Sequence, residues 1–177
     1  MIRKILVVGG DRRALLMAPM LAGAGYEVRT LGLAAGDEKQ ADIAGADALL
    51  MPYPFAVRDG NVPTLTGLTL HPGDVLECAG NGTAVLAGQG LEPYIAAEKA
   101  LGKKLGLAYY TSHEPFVQKN AELSAEAALF EAMGRSQRAL MDQAVLVMGY
   151  GRFGRALALR LRAVGAKVWV AARREAA

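Results

Sequence analysis

The sequence has a single cysteine, Cys78, among its 177 residues, so no disulfide can form within the chain. Chains without disulfides are typical of reducing compartments, and we expect a cytoplasmic protein. No uncharged apolar run approaches the roughly 20 residues that a membrane-spanning helix needs, so we expect no membrane partner. With one cysteine and two histidines the sequence offers no set of zinc ligands, and we expect no metal site.

Two further shortages argue against a nucleic-acid partner. Aromatic residues make up 6% of the sequence, which is too few for a base-stacking surface. The formal net charge is only +3, and the basic residues are scattered along the chain. Hydrophobic residues are abundant at 53%, beside 21% charged residues, which is typical of a packed globular protein.

Short apolar runs alternate with helical patterns along the N-terminal part of the chain. Apolar residues at 16, 17, 20 and 21 predict the buried face of the first helix. Strands that alternate with helices are typical of an α/β domain with a parallel sheet. We therefore predict a Rossmann-like domain over residues 1–120, with strands at 4–8, 26–31, 48–51, 75–79 and 105–110 and helices at 12–24 and 93–101.

A second segment of the same kind follows this domain. Its elements are a long linking helix at 121–140, a strand at 144–148, a helix at 155–164 and a strand at 168–171. The predicted fold class is therefore α/β, with a Rossmann-like N-terminal domain, a linking helix and the first β-α-β unit of a second Rossmann domain. We assign the linking helix and this partial nucleotide-binding domain to residues 121–177.

The two segments repeat each other along the chain. Gly9 and Gly149 are 140 positions apart (149 − 9), and the same offset pairs Gly25 with Gly165. Common descent explains this spacing, and so does the geometry that any two βαβ units share. The repeat alone does not decide between the two explanations.

The second copy of the repeat carries a motif for binding a dinucleotide. Three glycines at positions 149, 151 and 154 stand between a predicted strand and a predicted helix, with Tyr150, Arg152 and Phe153 between them. Gly149 allows a tight turn, Gly151 lets a pyrophosphate approach the backbone, and Gly154 lets the helix pack on the strand. The alternative is a purely structural turn. In the first copy Asp11 replaces the second glycine, and its carboxylate would repel a pyrophosphate.

The end of the last predicted strand indicates which dinucleotide is bound. Enzymes that use NAD place an acidic residue there to accept the ribose 2′-hydroxyl. This chain has Arg173 and Arg174 instead, and guanidinium groups suit the 2′-phosphate of NADP. We therefore predict NADP rather than NAD as the cofactor.

Polar residues at two helix starts are further candidates. Two interpretations stay open for the start of the first helix. Either Asp11 caps the helix, or Arg12 and Arg13 bind a small carboxylated ligand beside Asp11. Asn120 is predicted as the N-cap of the linking helix.

Glu126 lies on the apolar stripe of the predicted linking helix, because it is spaced at helical intervals from residues 129, 130 and 133. Two interpretations stay open for this carboxylate. It is either a desolvated group suited to proton transfer or an acid stabilised by the nearby helix N-terminus.

Three motifs, in this order and spacing, resemble the A-subunit family of dipicolinate synthase. They are Gly9-Gly10-Asp11-x-Arg13, Asn120-x-x-x-Ser124-x-Glu126, and the turn at 149–154 followed by Ala172-Arg173. The resemblance spans the chain and implies that Asp11, Arg13, Asn120 and Ser124 bind substrate, with Glu126 as the leading candidate for the catalytic base. The chain departs from the second motif, where residues 121, 123 and 127 are Ala, Leu and Ala instead of Ser, Pro and Gly.

The resemblance also implies a function. It predicts NADP-dependent oxidation of dihydrodipicolinate, or its hydroxylated precursor, to dipicolinate in the mother cell of a sporulating bacterium. The implied partners are a small dicarboxylate substrate, further copies of the same chain and the synthase B subunit. Members of the family continue past the equivalent of the last residue here, so we expect a C-terminally truncated chain that is inactive by itself. Two alternatives stay open: another NAD(P)-dependent enzyme of 2-hydroxyacid or alanine dehydrogenase plan, and a non-enzymatic nucleotide-binding module for regulation or assembly.

Overall fold

The computed structural model describes residues 1–37, 41–53 and 59–173, with only the backbone at positions 41 and 42. The chain divides into two compact units, Met1–Thr111 and Ser112–Ala177. The sequence prediction puts this division after residue 120. In the structure that position lies inside a helix, and the whole helix belongs to the second unit.

The first unit is built around a five-stranded parallel sheet, which confirms the predicted α/β class. The strand order is β2-β1-β3-β4-β5, and a short 3-10 helix at Tyr110–Ser112 follows the last strand. The strands are β1 (Lys4–Val8), β2 (Glu27–Leu31), β3 (Ala48–Leu50), β4 (Ala84–Ala87) and β5 (Gly106–Tyr109). The helices are α1 (Arg12–Gly23), α2 (Ala41–Ala44), α3 (Pro72–Cys78) and α4 (Glu92–Ala100).

Both faces of the interior strand β1 are buried. Leu6 and Val8 belong to the larger apolar cluster, which also includes residues of α3 and α4, whereas Val7 belongs to a smaller cluster with Ala14 of α1. This division follows from the alternation of side chains along a strand. The predicted buried face of α1 is only half right: residues 17 and 21 pack against the smaller cluster, but residues 16 and 20 are exposed.

The predicted strand at residues 75–79 is wrong, because this segment forms helix α3. Pro72 stands in the first turn, and His71 caps the helix by accepting a hydrogen bond from the Gly73 N–H at its Nδ1, at 3.2 Å. Val75 and Leu76 are buried on one face of the helix. A short apolar run fits a buried strand and a buried helix equally, and the proline decides for the helix.

The strand that lies between β3 and β5 is β4, and it was not predicted from the sequence. It has only four residues, two of them alanine, and its pattern carries little strand signal. Val85 and Ala87 are nevertheless fully buried in the larger cluster. The buried Thr83 precedes them, and its hydroxyl donates to the Ala46 carbonyl at 3.1 Å.

The second unit consists of two helices and a parallel pair of strands. They are α5 (Glu114–Arg135), β6 (Ala144–Met148), α6 (Arg152–Ala163) and β7 (Lys167–Ala171). The predicted helix at 121–140 starts seven residues earlier, because Pro115 suits a first helical turn, and it ends at Arg135. Helix α5 packs against α6, and Ala125 of α5 is fully buried. No helix in the described ranges is both long and apolar enough to cross a membrane.

The repeat seen in the sequence is also a structural repeat. Strand β1, helix α1 and strand β2 have the same bounds as β6, α6 and β7 after a shift of 140 residues. The strand registers match as well, because Lys4 pairs with Glu27 and Ala144 pairs with Lys167. The two glycine turns can therefore be compared position by position.

Candidate functional site

The glycine turn of the second unit connects β6 to α6. Gly149 has a φ of +99°, a left-handed conformation that favours glycine. Its N–H donates to the Ala171 carbonyl at 2.7 Å, which ties the turn to the end of β7. A side chain on Gly154 would overlap the Gly149 carbonyl, so this glycine is needed for the helix to start close to the turn.

The start of α6 in this turn is open. Gly151 is the N-cap and has no side chain to satisfy the first N–H groups of the helix. A Cβ built on Gly151 would meet no atom within 4 Å, so space remains in front of the backbone. The N–H groups of the first turn have no acceptor within the helix, and the helix dipole adds partial positive charge. This arrangement can accept an anion such as a phosphate.

Arg152 is the first residue of α6 and forms a bidentate ion pair with Glu114, the first residue of α5. Its Nε donates to Glu114 Oε1 at 2.7 Å, and its Nη2 donates to Glu114 Oε2 at 2.6 Å. The hydrogen bonds from Arg152 hold the pKa of the Glu114 carboxyl below its usual value. The same bonds raise the pKa of the Arg152 guanidinium. The sequence gives no signal for this role of Glu114, because the two residues of the pair are 38 positions apart.

The end of β7 lies beside this turn. Arg173 is exposed and stands two residues after the end of β7. The last residue of that strand, Ala171, accepts the hydrogen bond from Gly149. Arg174 lies outside the described residues. No acidic side chain is present at positions 171–173.

The glycine turn of the first unit is closed by its own carboxylate. Asp11 is the N-cap of α1, and its Oδ1 accepts the Arg13 N–H at 2.8 Å. The Arg13 guanidinium binds the same carboxylate through Nε at 2.9 and 3.0 Å. These side-chain hydrogen bonds lower the pKa of Asp11. The structure thus shows the predicted cap, and it also shows that Arg13 is already engaged.

A tyrosine that the sequence analysis did not single out lies near Arg13. The sheet order reverses direction between β1 and β3, and ligands of such sheets bind at the carboxyl ends of the strands there. Tyr110 follows β5 at this edge, and its hydroxyl donates to the Met51 carbonyl at 3.3 Å. Burial raises the pKa of Tyr110 to about 12, although the nearby positive charge of Arg13 opposes this. The phenol is therefore neutral and keeps the proton that it donates to the Met51 carbonyl.

The residues predicted on the linking helix lie on α5, where Asn120 and Ser124 are neighbours and Glu126 lies apart from them. Asn120 is inside the helix, so the prediction that it is the N-cap is wrong; the N-cap is His113. The Ser124 hydroxyl donates to the Asn120 carbonyl at 2.7 Å, as serine often does inside a helix. Glu126 is six residues from Asn120, which places it about 120° away around the helix.

The face of α5 that carries Glu126 is exposed in the structure. Phe130 and Met133 are 74% and 56% exposed, and Glu126 is exposed as well. Glu126 therefore shares a helix face with these apolar residues, as the sequence predicts. The predicted desolvation of its carboxylate is not seen, because this face is exposed. The described residues bring no three His, Cys, Asp or Glu side chains together in a metal-binding group.

The sequence matches a known family over more than half of its length. This family, the N-terminal domain of the dipicolinate synthase A subunit, matches residues 4–96. The chain belongs to this family. No curated protein matches the chain in sequence.

Solved structures of the same family share the fold. The dipicolinate synthase A subunit of Bacillus halodurans superposes with a TM-score of 0.80 at 22% identity, covering 98% of this chain and 62% of that one. The corresponding dipicolinate synthase chain of Bacillus subtilis gives 0.77 at 22% identity, with 99% and 62% covered. A transhydrogenase from Sinorhizobium meliloti gives 0.62 at 17% identity, with 98% and 57% covered. The chain thus shares its fold with these proteins, and it spans less than two thirds of the length of each.

Proposed function

We propose that this chain supplies the nucleotide-binding turn and part of the substrate site of an NADP-dependent oxidoreductase that forms dipicolinate. The substrate is dihydrodipicolinate or its hydroxylated precursor. One observation carries the proposal: the glycine turn of the second unit is open at Gly151, whereas Asp11 closes the matching turn of the first unit. Membership of the dipicolinate synthase family supports the choice of substrate.

The residues of the second turn fit a nicotinamide dinucleotide. The pyrophosphate lies against the start of α6, where Gly151, Arg152 and Phe153 offer backbone N–H groups. Gly149 and Gly154 keep the turn compact enough for this approach. When bound, the nicotinamide accepts a hydride from the substrate.

Arg173 and Arg174 make NADP the preferred cofactor over NAD. Arg173 stands at the end of β7, where an NAD-binding protein would present a carboxylate to the ribose. Its guanidinium forms charge-assisted hydrogen bonds to the 2′-phosphate that only NADP carries.

The substrate is a dicarboxylate: oxidation of dihydrodipicolinate to the aromatic ring releases a hydride and a proton, and the hydroxylated precursor also loses one water molecule. Arg13 binds one carboxylate with the guanidinium nitrogen that Asp11 leaves available, and Asp11 fixes the orientation of that guanidinium. On α5, Asn120 and Ser124 lie one helical turn apart and supply polar contacts, whereas Glu126, the proposed base, lies on another face of the helix and takes the proton through water.

The proposed partners are further copies of this chain and the B subunit of the synthase, in the cytoplasm of the mother cell. An apolar face is exposed on the β6–β7 pair, where Leu146, Met148 and Trp169 are 60%, 85% and 67% exposed. A contiguous apolar surface of this kind is typical of sites that other protein surfaces cover.

The assay that tests this function follows dipicolinate directly. The full-length protein is mixed with freshly prepared dihydrodipicolinate and NADP, with and without the B subunit, and the ultraviolet absorbance of dipicolinate is recorded. We expect NADP-dependent formation of dipicolinate and slower formation with NAD. Turnover of a 2-hydroxy acid without any dipicolinate would instead indicate a different dehydrogenase. Nucleotide binding without turnover of either substrate would favour a regulatory module.

A further inference from the structure

The bidentate pair of Glu114 and Arg152 joins two helix starts. Glu114 is the first residue of α5 and Arg152 is the first residue of α6, so the ion pair links the side chains of the two helix starts. Helix N-termini carry partial positive charge and attract anions. The start of α5 therefore favours the Glu114 carboxylate, which is linked to the turn proposed for the pyrophosphate through the Arg152 side chain.

The pair also neutralises the only cationic side chain within the glycine turn, residues 149–154. Both Glu114 oxygens are used, one on Nε and one on Nη2 of Arg152. The two side chains are 63% and 52% exposed, so a solute can reach them. A phosphate at the start of α6 would meet an arginine whose charge is already compensated by a carboxylate.

We propose that Glu114 is a positioning residue that competes with the nucleotide phosphate for Arg152. This inference rests on the proposed nucleotide site. In the free protein Glu114 holds the guanidinium at the start of α6. When the nucleotide binds, Arg152 exchanges the carboxylate for a phosphate oxygen. Breaking the Glu114–Arg152 pair offsets part of the binding free energy that the Arg152–phosphate contact supplies. Glu114 thereby weakens the affinity for the cofactor.

The test compares charge removal at two places on the same helix. In Glu114→Gln the side chain keeps its length and one acceptor oxygen but loses its charge. Glu131→Gln is the matched control, because Glu131 also pairs with an arginine on α5, Arg135 at 2.8 Å, near the opposite end of the helix. Binding of NADP is measured by isothermal titration calorimetry, and circular dichroism verifies that each variant is folded.

We expect Glu114→Gln to bind NADP about three- to tenfold more tightly than the wild type, as one neighbouring negative charge near a phosphate would cause. Glu131→Gln should bind with unchanged affinity. In an Arg152→Gln background, the effect of Glu114→Gln should disappear, because the competition acts through Arg152. A field effect of Glu114 that did not involve Arg152 would persist in that background and would overturn the inference.

Other outcomes separate this inference from the proposed function. Equal or weaker binding by Glu114→Gln, with clear binding by the wild type, would overturn the competition and leave the nucleotide site standing. No binding of NADP or NAD by the wild type, Glu114→Gln and Glu131→Gln alike would overturn both. A lower unfolding temperature of Glu114→Gln without tighter binding would overturn the competition and assign the pair a purely structural role.

Discussion

Asp11 and Gly151 occupy the same position in two helices that begin 140 residues apart, and only Asp11 caps its helix with a side chain. At the first helix, the carboxylate accepts the Arg13 N–H and binds the Arg13 guanidinium. At the second helix, the same place is open space. One residue difference thus separates a turn that satisfies itself from a turn that can bind a ligand.

Replacing Asp11 should separate its capping role from its charge. Asp11→Ala removes the acceptor for the Arg13 N–H and should lower the free energy of unfolding by about 1 kcal/mol. Asp11→Asn keeps a good capping group, so its free energy of unfolding should fall by less than that of Asp11→Ala. Both effects are measured by urea unfolding at neutral pH, and equal losses in the two variants would show that the charge, not the cap, stabilises α1.

The charge of Asp11 should also give a pH-dependent stability. Hydrogen bonds from Arg13 lower the pKa of Asp11 from 3.8, so this stabilisation is present above that value and is lost as the pH falls through the lowered pKa. The difference in unfolding temperature between the wild type and Asp11→Asn should therefore persist at about pH 5 and shrink in strong acid. A difference that stayed constant down to the lowest measurable pH would contradict the pairing with Arg13.

Gly154 should tolerate no side chain. In Gly154→Ala the new methyl group would overlap the Gly149 carbonyl, and the strain should cost about 1–3 kcal/mol of unfolding free energy. The control is Gly134→Ala on α5, where a Cβ meets no atom within 4 Å. This second change should be neutral or stabilising by up to about 1 kcal/mol, because alanine favours a helix. Similar stabilities of the two variants would argue against the close approach of α6 to the turn.

The close packing of α5 on α6 can be tested with a matched pair of alanines. Ala125 is fully buried on α5, so Ala125→Leu should overpack the helix interface and cost about 1–3 kcal/mol. Ala127 is exposed on the same helix, and Ala127→Leu should change the stability by less than about 0.5 kcal/mol. Thermal unfolding of both variants measures the difference, and no loss in Ala125→Leu would place the interface elsewhere.

Cofactor preference should depend on Arg173. Arg173→Asp should weaken NADP binding by about tenfold or more, since a carboxylate would repel the 2′-phosphate, and should weaken NAD binding far less. The control is Arg162→Asp, which makes the same charge change near the C-terminal end of α6. Dissociation constants for both nucleotides decide the question, and equal losses for NADP and NAD would reject the role of Arg173.

The βαβ units are predictable from the sequence because their signals are local and redundant. Each has a continuous apolar strand, a glycine turn and an amphipathic helix, and the predicted bounds of β1 and β6 are those that the structure shows. The segment at 72–87 is harder. The apolar run that ends helix α3 also fits a strand, and the short β4 escapes prediction because tertiary burial, not propensity, makes it a strand.

Features of the candidate site that are formed by residues close together in the sequence are predictable. Features that depend on contacts between distant parts of the chain are not. The turn at 149–154 and the cap at Asp11 can be deduced from neighbouring residues. The pairing of Glu114 with Arg152 and the approach of Tyr110 to Arg13 join distant segments, which a single sequence does not reveal. The expected burial of Glu126 rests on helical spacing alone, and spacing identifies a shared face but not what covers it.

The central claim is that the second glycine turn, and not the first, binds the nicotinamide dinucleotide. The most direct measurement is a calorimetric titration of NADP into the wild type, Gly151→Asp and Asp11→Asn. We predict that Gly151→Asp, which gives the second turn the carboxylate of the first, weakens binding by about tenfold or more, and that Asp11→Asn binds like the wild type. Unchanged affinity in Gly151→Asp, or loss of binding in Asp11→Asn, would contradict the account.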